Sequence, residues 1–231
     1  MSRPFADVEG PHADATLETG GAPAAAARVA LVLVHGRGGT PEGMLRLADE
    51  CYRQGTALLA PGAVRSTWFP ARHDAPIDAN EPALTSAVDC VAATVDAARE
   101  VGVGPTETVL VGVSQGGCVV SEFLRRRPRR YGGAFVVSAA LPGDDLDGPA
   151  ARVAAAGAEP LAGTPLALDS SEDDPYVPAS RVRATAEVFR RAGAAVDLRI
   201  DPGDGHGLSN ATLERIGDRV GSLVGDVDCE D

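Results

Sequence analysis

Residues 108–117 read Thr-Val-Leu-Val-Gly-Val-Ser-Gln-Gly-Gly, and this stretch decides the fold. The apolar run Thr108–Val113 has the make-up of a strand covered on both faces. A helix is expected from Gln115 to about Arg127, where Pro128 stops it. Between them, Gly112-Val113-Ser114-Gln115-Gly116 fits the G-x-S-x-G pattern of a serine on a tight strand-to-helix turn. That turn strains the serine backbone, so the residues two places to either side have to be small, as Gly112 and Gly116 are. The hydroxyl is then presented above the sheet beside a helix N-terminus, whose dipole favours developing negative charge. Ser114 is the candidate nucleophile.

Upstream, Val29–Val34 is a continuous apolar run followed by a Gly-rich turn, again a doubly covered strand. Further strands are expected at Thr56–Leu59, Ala134–Ser138, Pro165–Leu168 and Ala195–Ile200. The last alternates apolar with charged residues, as a half-exposed edge strand does. Helices are expected between them. One is capped by Thr40, has Pro41 at its first position and closes at Gly55. A second follows Asn80 and carries Leu84, Val88, Val91 and Val95 on one face. A third carries Val182, Ala186 and Phe189 and closes at Gly193; the last starts near Ser209 with Leu213, Ile216, Val220 and Leu223. Strands alternating with helices predict an α/β domain, a mostly parallel sheet with helices on both faces, over residues 28–225. Residues 1–27 read as a mobile arm or an edge strand with a short strand near Ala15–Glu18, and 226–231 as an acidic tail. The Gly, Pro, Ala and Asp-rich connection 144–164 is too short for a large lid, which predicts an open site.

Composition narrows the function. The chain has 231 residues, 44% hydrophobic and 23% charged, which is ordinary for a globular domain. No apolar stretch is long enough to span a membrane. Met1–Gly10 has no apolar run behind a basic start, so no secretory signal is expected and the cytoplasm is the default compartment. Cys51, Cys90, Cys118 and Cys229 are far apart, without a CxxC pair, and read as free, mostly buried thiols. The net charge is −12 and every basic side chain other than histidine is Arg. Such a surface repels phosphate backbones and anionic lipid heads, which disfavours nucleic acid or membrane as partner. Either a GC-rich genome or a salt-rich cytoplasm produces a lysine-free acidic chain, and Asp226, Asp228, Glu230 and Asp231 favour the second.

A serine hydroxyl needs a base. Of the four histidines, His12 lies in the N-terminal segment, His73 in a polar loop, and His35 closes the first buried strand. His206, in Asp204-Gly205-His206-Gly207, follows the last strand, at the carboxyl edge where open α/β sheets bind ligands. It is the candidate general base. The orienting acid is expected after the strand at 165–168, where Asp169, Glu172, Asp173 and Asp174 crowd together. Glu172 reads as acidic surface. Asp174 precedes the rigid Pro175-Tyr176-Val177-Pro178 loop and gives the chain order Ser, Asp, His; Asp173 is the runner-up. His35-Gly36-Arg37-Gly38-Gly39 has the form of a loop that supplies an oxyanion N–H. The backbone N–H groups of Arg37 and Gln115 are the candidate pair, with Arg37 acting through its main chain and His35 bracing the loop.

Leu33-Val34-His35-Gly36-Arg37-Gly38, Trp68-Phe69-Pro70, Gly112–Gly117 and Asp174–Pro178, in this order, resemble the phospholipase/carboxylesterase family, which includes acyl-protein thioesterases. The resemblance runs from about residue 28 to residue 224. It implies an α/β-hydrolase fold, nearly lidless, and a serine esterase cleaving small-molecule carboxylic esters or thioesters with no metal or organic cofactor. By motif match it gives the acid role to Asp174. Two departures stand out: Pro70 where many members have Asp, and no acidic residue directly after His206. Both lie near the substrate, so substrate class does not carry over in detail. Trp68 and Phe69 are candidates either for the pocket wall or for the core. The rival readings are thioester or lactone hydrolysis on the same triad, and a binding protein on a degenerate hydrolase scaffold. The sequence leaves the oligomeric state, monomer or dimer, open.

Overall fold

The computed structural model describes residues 1–148, 153 and 159–228. Part of the 144–164 connection, and Cys229, Glu230 and Asp231 of the tail, therefore lie outside the described residues. Eight strands form one sheet: β1 (Ser2–Pro4), β2 (Thr16–Gly21), β3 (Val29–Val34), β4 (Thr56–Pro61), β5 (Thr108–Val113), β6 (Gly133–Val137), β7 (Pro165–Ser171) and β8 (Ala195–Asp201). Their order across the sheet is β1-β2-β4-β3-β5-β6-β7-β8. β1 and β2 pair antiparallel, whereas the ladder from β4 through β8 is parallel. This is the α/β-hydrolase fold.

Among the described residues five α-helices cover the sheet: α1 (Pro41–Ala48), α2 (Ala83–Glu100), α3 (Gln115–Arg126), α4 (Ala179–Arg191) and α5 (Asn210–Asp228). The strands divide their side chains between two cores because successive residues point to opposite faces. Val32 and Val34 of β3 pack with Val88 and Val91 of α2, Val120 and Phe123 of α3, and Val182 and Phe189 of α4. Leu31 and Leu33 face the other way, toward Met44 of α1 and Leu213, Ile216 and Val220 of α5. β5 and β3 are buried at almost every position, which is why they read as unbroken apolar runs. β8 alternates exposed and half-buried residues, as an edge strand must.

One local expectation is revised. α1 ends at Ala48, well before Gly55, because Asp49 and Glu50 donate back only three residues, to Arg46 and Leu47. Gly55, with φ of 88°, instead makes the turn into β4. In the N-terminal segment, residues 2–4 and 16–21 add two strands to the sheet, and His12, 2% exposed, is buried beneath Trp68. Just before α2, the Asn80 amide accepts from Ala71 N–H at 2.9 Å and donates to Arg72 O at 3.0 Å. No helix among the described residues is long and apolar enough to cross a membrane.

Candidate active site

Ser114 sits between β5 and α3 with φ of 53° and ψ of −122°, a backbone conformation that L-residues rarely adopt. The reason is crowding around the turn. A Cβ on Gly112 would lie 2.5 Å from Gly116 O, and one on Gly116 would run into the carbonyls of Val34 and His35. With both positions glycine, β3, β5 and α3 approach closely enough to push Ser114 out of the sheet. Its own N–H donates to Val137 O at 2.8 Å, and its hydroxyl does not cap the helix.

The hydroxyl instead meets His206, with Nε2 and Oγ 2.8 Å apart. The other ring nitrogen, Nδ1, is 2.8 Å from Asp174 Oδ2. A carboxylate can only accept, so Nδ1 carries the proton; in the neutral ring Nε2 is then the acceptor and Ser114 O–H the donor. Asp174 Oδ1 accepts the N–H groups of Tyr176 at 2.9 Å and Val177 at 3.0 Å. Its side chain is fully covered, while that of His206 remains 20% exposed. The Tyr176 ring stands edge-on to the imidazole, with centroids 4.7 Å apart.

The other acids of the cluster point elsewhere. Asp169 is buried and accepts from Thr212 and Arg215. Glu172 pairs with Arg183 on the surface. Asp173 is exposed, and its carboxylate has no hydrogen-bond partner among the described residues.

The loop after β3 passes directly beside the nucleophile: a Cβ on Gly36 would be 3.3 Å from Ser114 Cβ. Within this loop Gly38 N–H is spent on Ser66 O and Gly39 N–H on Gly36 O. The N–H groups of Arg37 and Gln115 have no partner among the described residues. His35 braces the loop from below, with Nδ1–H donating to Gly36 O at 2.8 Å and Nε2 accepting Ala63 N–H at 3.2 Å.

Trp68 and Phe69 part company. Trp68 is fully buried, donates Nε1–H to His35 O at 2.8 Å and packs against the rings of His12 and His35. It belongs to the core that supports the loop and does not line the pocket. Phe69 does border the cavity of about 650 Å³ in front of Ser114, together with Arg37, His73, Cys118, Tyr176 and His206. Burial pushes the Cys118 thiol up to about 11, so it stays protonated and non-nucleophilic. Burial, and then the nearby Arg181, hold His73 below its ordinary value, so that ring is neutral.

Two contributors have no sequence signal. Ser138 Oγ, at the end of β6, accepts Gly207 N–H and anchors the histidine loop. The Gln115 side chain accepts Trp68 N–H at 2.9 Å and donates to Phe69 O at 2.7 Å, fixing the pocket wall. Both act on residues distant in sequence.

Known proteins agree with this architecture. The chain is 28% identical to Carboxylesterase SOBER1 of Arabidopsis thaliana over 160 residues, 67% of each chain. It is 27% identical over 176 residues to a "Probable inactive carboxylesterase" of Oryza sativa, covering 72% of this chain and 69% of that one. The crystal structure of a phospholipase/carboxylesterase from Dyadobacter fermentans superposes with a TM-score of 0.78 at 29% identity, covering 88% of this chain and 95% of the other. Such relatives support an ester hydrolase. The profile of the phospholipase/carboxylesterase family matches residues 18–221, and the chain belongs to that family.

Proposed function

We propose that the protein is a serine esterase that cleaves carboxylic esters through an acyl-enzyme. The observation that carries this reading is the unbroken hydrogen-bond chain from Ser114 through His206 to Asp174, 2.8 Å at each link. Ser114 Oγ attacks the ester carbonyl as His206 Nε2 takes its proton. Asp174 keeps the proton on Nδ1 and stabilises the imidazolium that forms. The backbone N–H groups of Arg37 and Gln115, without partners among the described residues, receive the oxyanion; losing one such donor raises the barrier by about 3–4 kcal/mol. The imidazolium protonates the departing alcohol. Water activated by the same ring then releases the acid and restores Ser114.

A fluorophosphonate probe followed by peptide mass spectrometry tests this. A covalent adduct on Ser114 is expected in folded protein, and its loss in Ser114→Ala. Absence of labelling, together with no turnover of p-nitrophenyl esters, overturns the reading. The rice relative with an inactive name makes the experiment informative, since family membership alone does not guarantee turnover.

A further inference from the structure

The wall of the cavity carries a charge opposite to that of the rest of the protein. The chain has 33 acidic residues against 21 basic ones, yet among the described residues no Asp or Glu lines the cavity in front of Ser114, whereas Arg37 and Arg72 do. Asp174, just behind the imidazole, is occupied by His206 and two backbone N–H groups.

The two arginines are not equivalent. Arg72 is matched by Asp74, with Nε to Oδ1 at 2.9 Å and Nη2 to Oδ2 at 3.0 Å. Hydrogen bonding from Arg72 lowers the Asp74 carboxyl to about 2, so this pair is neutral overall at working pH. Arg37 has no carboxylate partner among the described residues. Its Nη2 donates to the carbonyls of Phe69 at 2.9 Å, Pro70 at 3.3 Å and Ala71 at 3.4 Å. Three acceptors on one nitrogen hold the guanidinium at the cavity wall, while Nε and Nη1 donate to nothing among the described residues. With Nη2 engaged, Nε–H and Nη1–H are left as separate donors on a permanently charged group, which suits charge-assisted contact with a carboxylate or phosphate. On the same wall, His73 Nε2 is shielded from solvent and has no partner among the described residues.

We propose that Arg37 is the residue that selects substrate by charge, and that the esters this site takes carry an anionic carboxylate or phosphate within reach of its guanidinium. This rests on the esterase reading above, and uses the Arg37 side chain rather than the backbone N–H assigned to the oxyanion. The competing role for the side chain is mechanical, as a clamp tying the loop after β3 to Phe69–Ala71. A clamp acts on every ester alike; a charge selector does not.

The test compares matched substrates. On the acyl side, mono-p-nitrophenyl adipate is set against p-nitrophenyl hexanoate; on the alcohol side, a carboxyl-substituted p-nitrophenyl butyrate against its parent. Wild type is expected to favour the anionic member of at least one pair by roughly tenfold in kcat/KM, mainly through KM. The preferred pair identifies which side of the ester carries the anion. Arg37→Gln, which keeps an NH2 donor for the carbonyls but removes the charge, should bring the ratio near one, and Arg37→Lys should retain part of it. Raising the salt should erode the wild-type ratio, and this measurement stands even where the variants fold poorly. No anionic preference in wild type, a preference insensitive to salt, or equal losses for both members in Arg37→Gln would overturn the proposal. Fluorophosphonate labelling of Ser114 in the same samples separates the outcomes. Labelled enzyme without charge preference refutes only the role of Arg37, whereas unlabelled, inactive wild type refutes the esterase reading itself.

Discussion

The hydroxyl of Ser138 accepts the backbone N–H of Gly207 at 2.8 Å, tying the loop that carries His206 to the end of β6. Ser138 is held in the left-handed region, with φ of 48°, and its own N–H donates to Asp169 O at 2.7 Å. Ser138→Ala should therefore loosen the imidazole without touching substrate. The expected result is a fall of about tenfold in kcat with KM nearly unchanged, and a stability loss of about 1 kcal/mol. Steady-state kinetics and urea unfolding measure both; a wild-type kcat would mean that other contacts suffice to hold the loop.

Asp174 and Asp173 are neighbours with different surroundings, one fully covered against His206 and the other in solvent. Asp174→Asn should lower kcat on the order of 10⁴-fold, because the amide no longer fixes the Nδ1–H tautomer. Asp173→Asn should stay within about a factor of two. Rates for the two variants in the reverse order would exchange their roles.

Gln115 is 6% exposed, and its side-chain amide satisfies Trp68 N–H and Phe69 O. Gln115→Leu keeps the backbone N–H and most of the volume but leaves both groups unpaired inside the protein. Each unpaired group costs about 1–3 kcal/mol. A thermal midpoint lower by several degrees is expected in a differential scanning experiment, roughly 2–4 °C for each kcal/mol lost in a domain of this size. An unchanged midpoint would show that the loop re-pairs without the amide.

Acid stability should fail early because two buried imidazoles are wired as neutral rings. His12 Nε2–H donates to Trp68 O at 2.9 Å while Nδ1 accepts Val64 N–H at 3.3 Å. His35 is held in the same manner between Gly36 O and Ala63 N–H. Protonation would set N–H against N–H, and burial lowers both pKa values, with the backbone carbonyl bonds opposing only in part. Below about pH 6.5 the unfolded chain binds protons that the folded chain refuses, so stability falls as pH drops below that value. The slope approaches about 1.4 kcal/mol per pH unit for each ring. Urea midpoints should be level between pH 7 and 8, decline toward pH 5, and decline less steeply in His12→Gln; an equally steep decline in that variant would absolve His12.

Much of this protein was legible from local pattern. β3 and β5 could be delimited residue by residue, because a strand covered on both faces is apolar throughout and is bounded by polar or glycine residues. The turn at Ser114 was legible because the crowding at Gly112 and Gly116 excludes every side chain. α1 was harder: Thr40 and Pro41 mark its start, but its end depends on a tightened last turn that no single residue announces. Trp68 and His12 were harder still. Trp68 sits in no regular element and His12 only ends a single 3-10 turn, Gly10–His12, and the two rings pack against each other, with Trp68 also against His35.

The sequence by itself determined the alternation of strands and helices and the glycine-flanked turn at Ser114, since each is encoded in residues a few places apart. Tertiary structure alone decided which carboxylate meets the histidine, because that contact spans 32 positions and depends on the direction taken by the loop after β7. It also sent Trp68 inward, gave Ser138 and the Gln115 side chain their anchoring contacts, and left Arg37 on the cavity wall without a carboxylate partner among the described residues. Short-range periodicity specifies which face of an element is apolar. The meeting of side chains as far as 92 positions apart, as Ser114 and His206 are, is specified only once the sheet has brought its strand ends together.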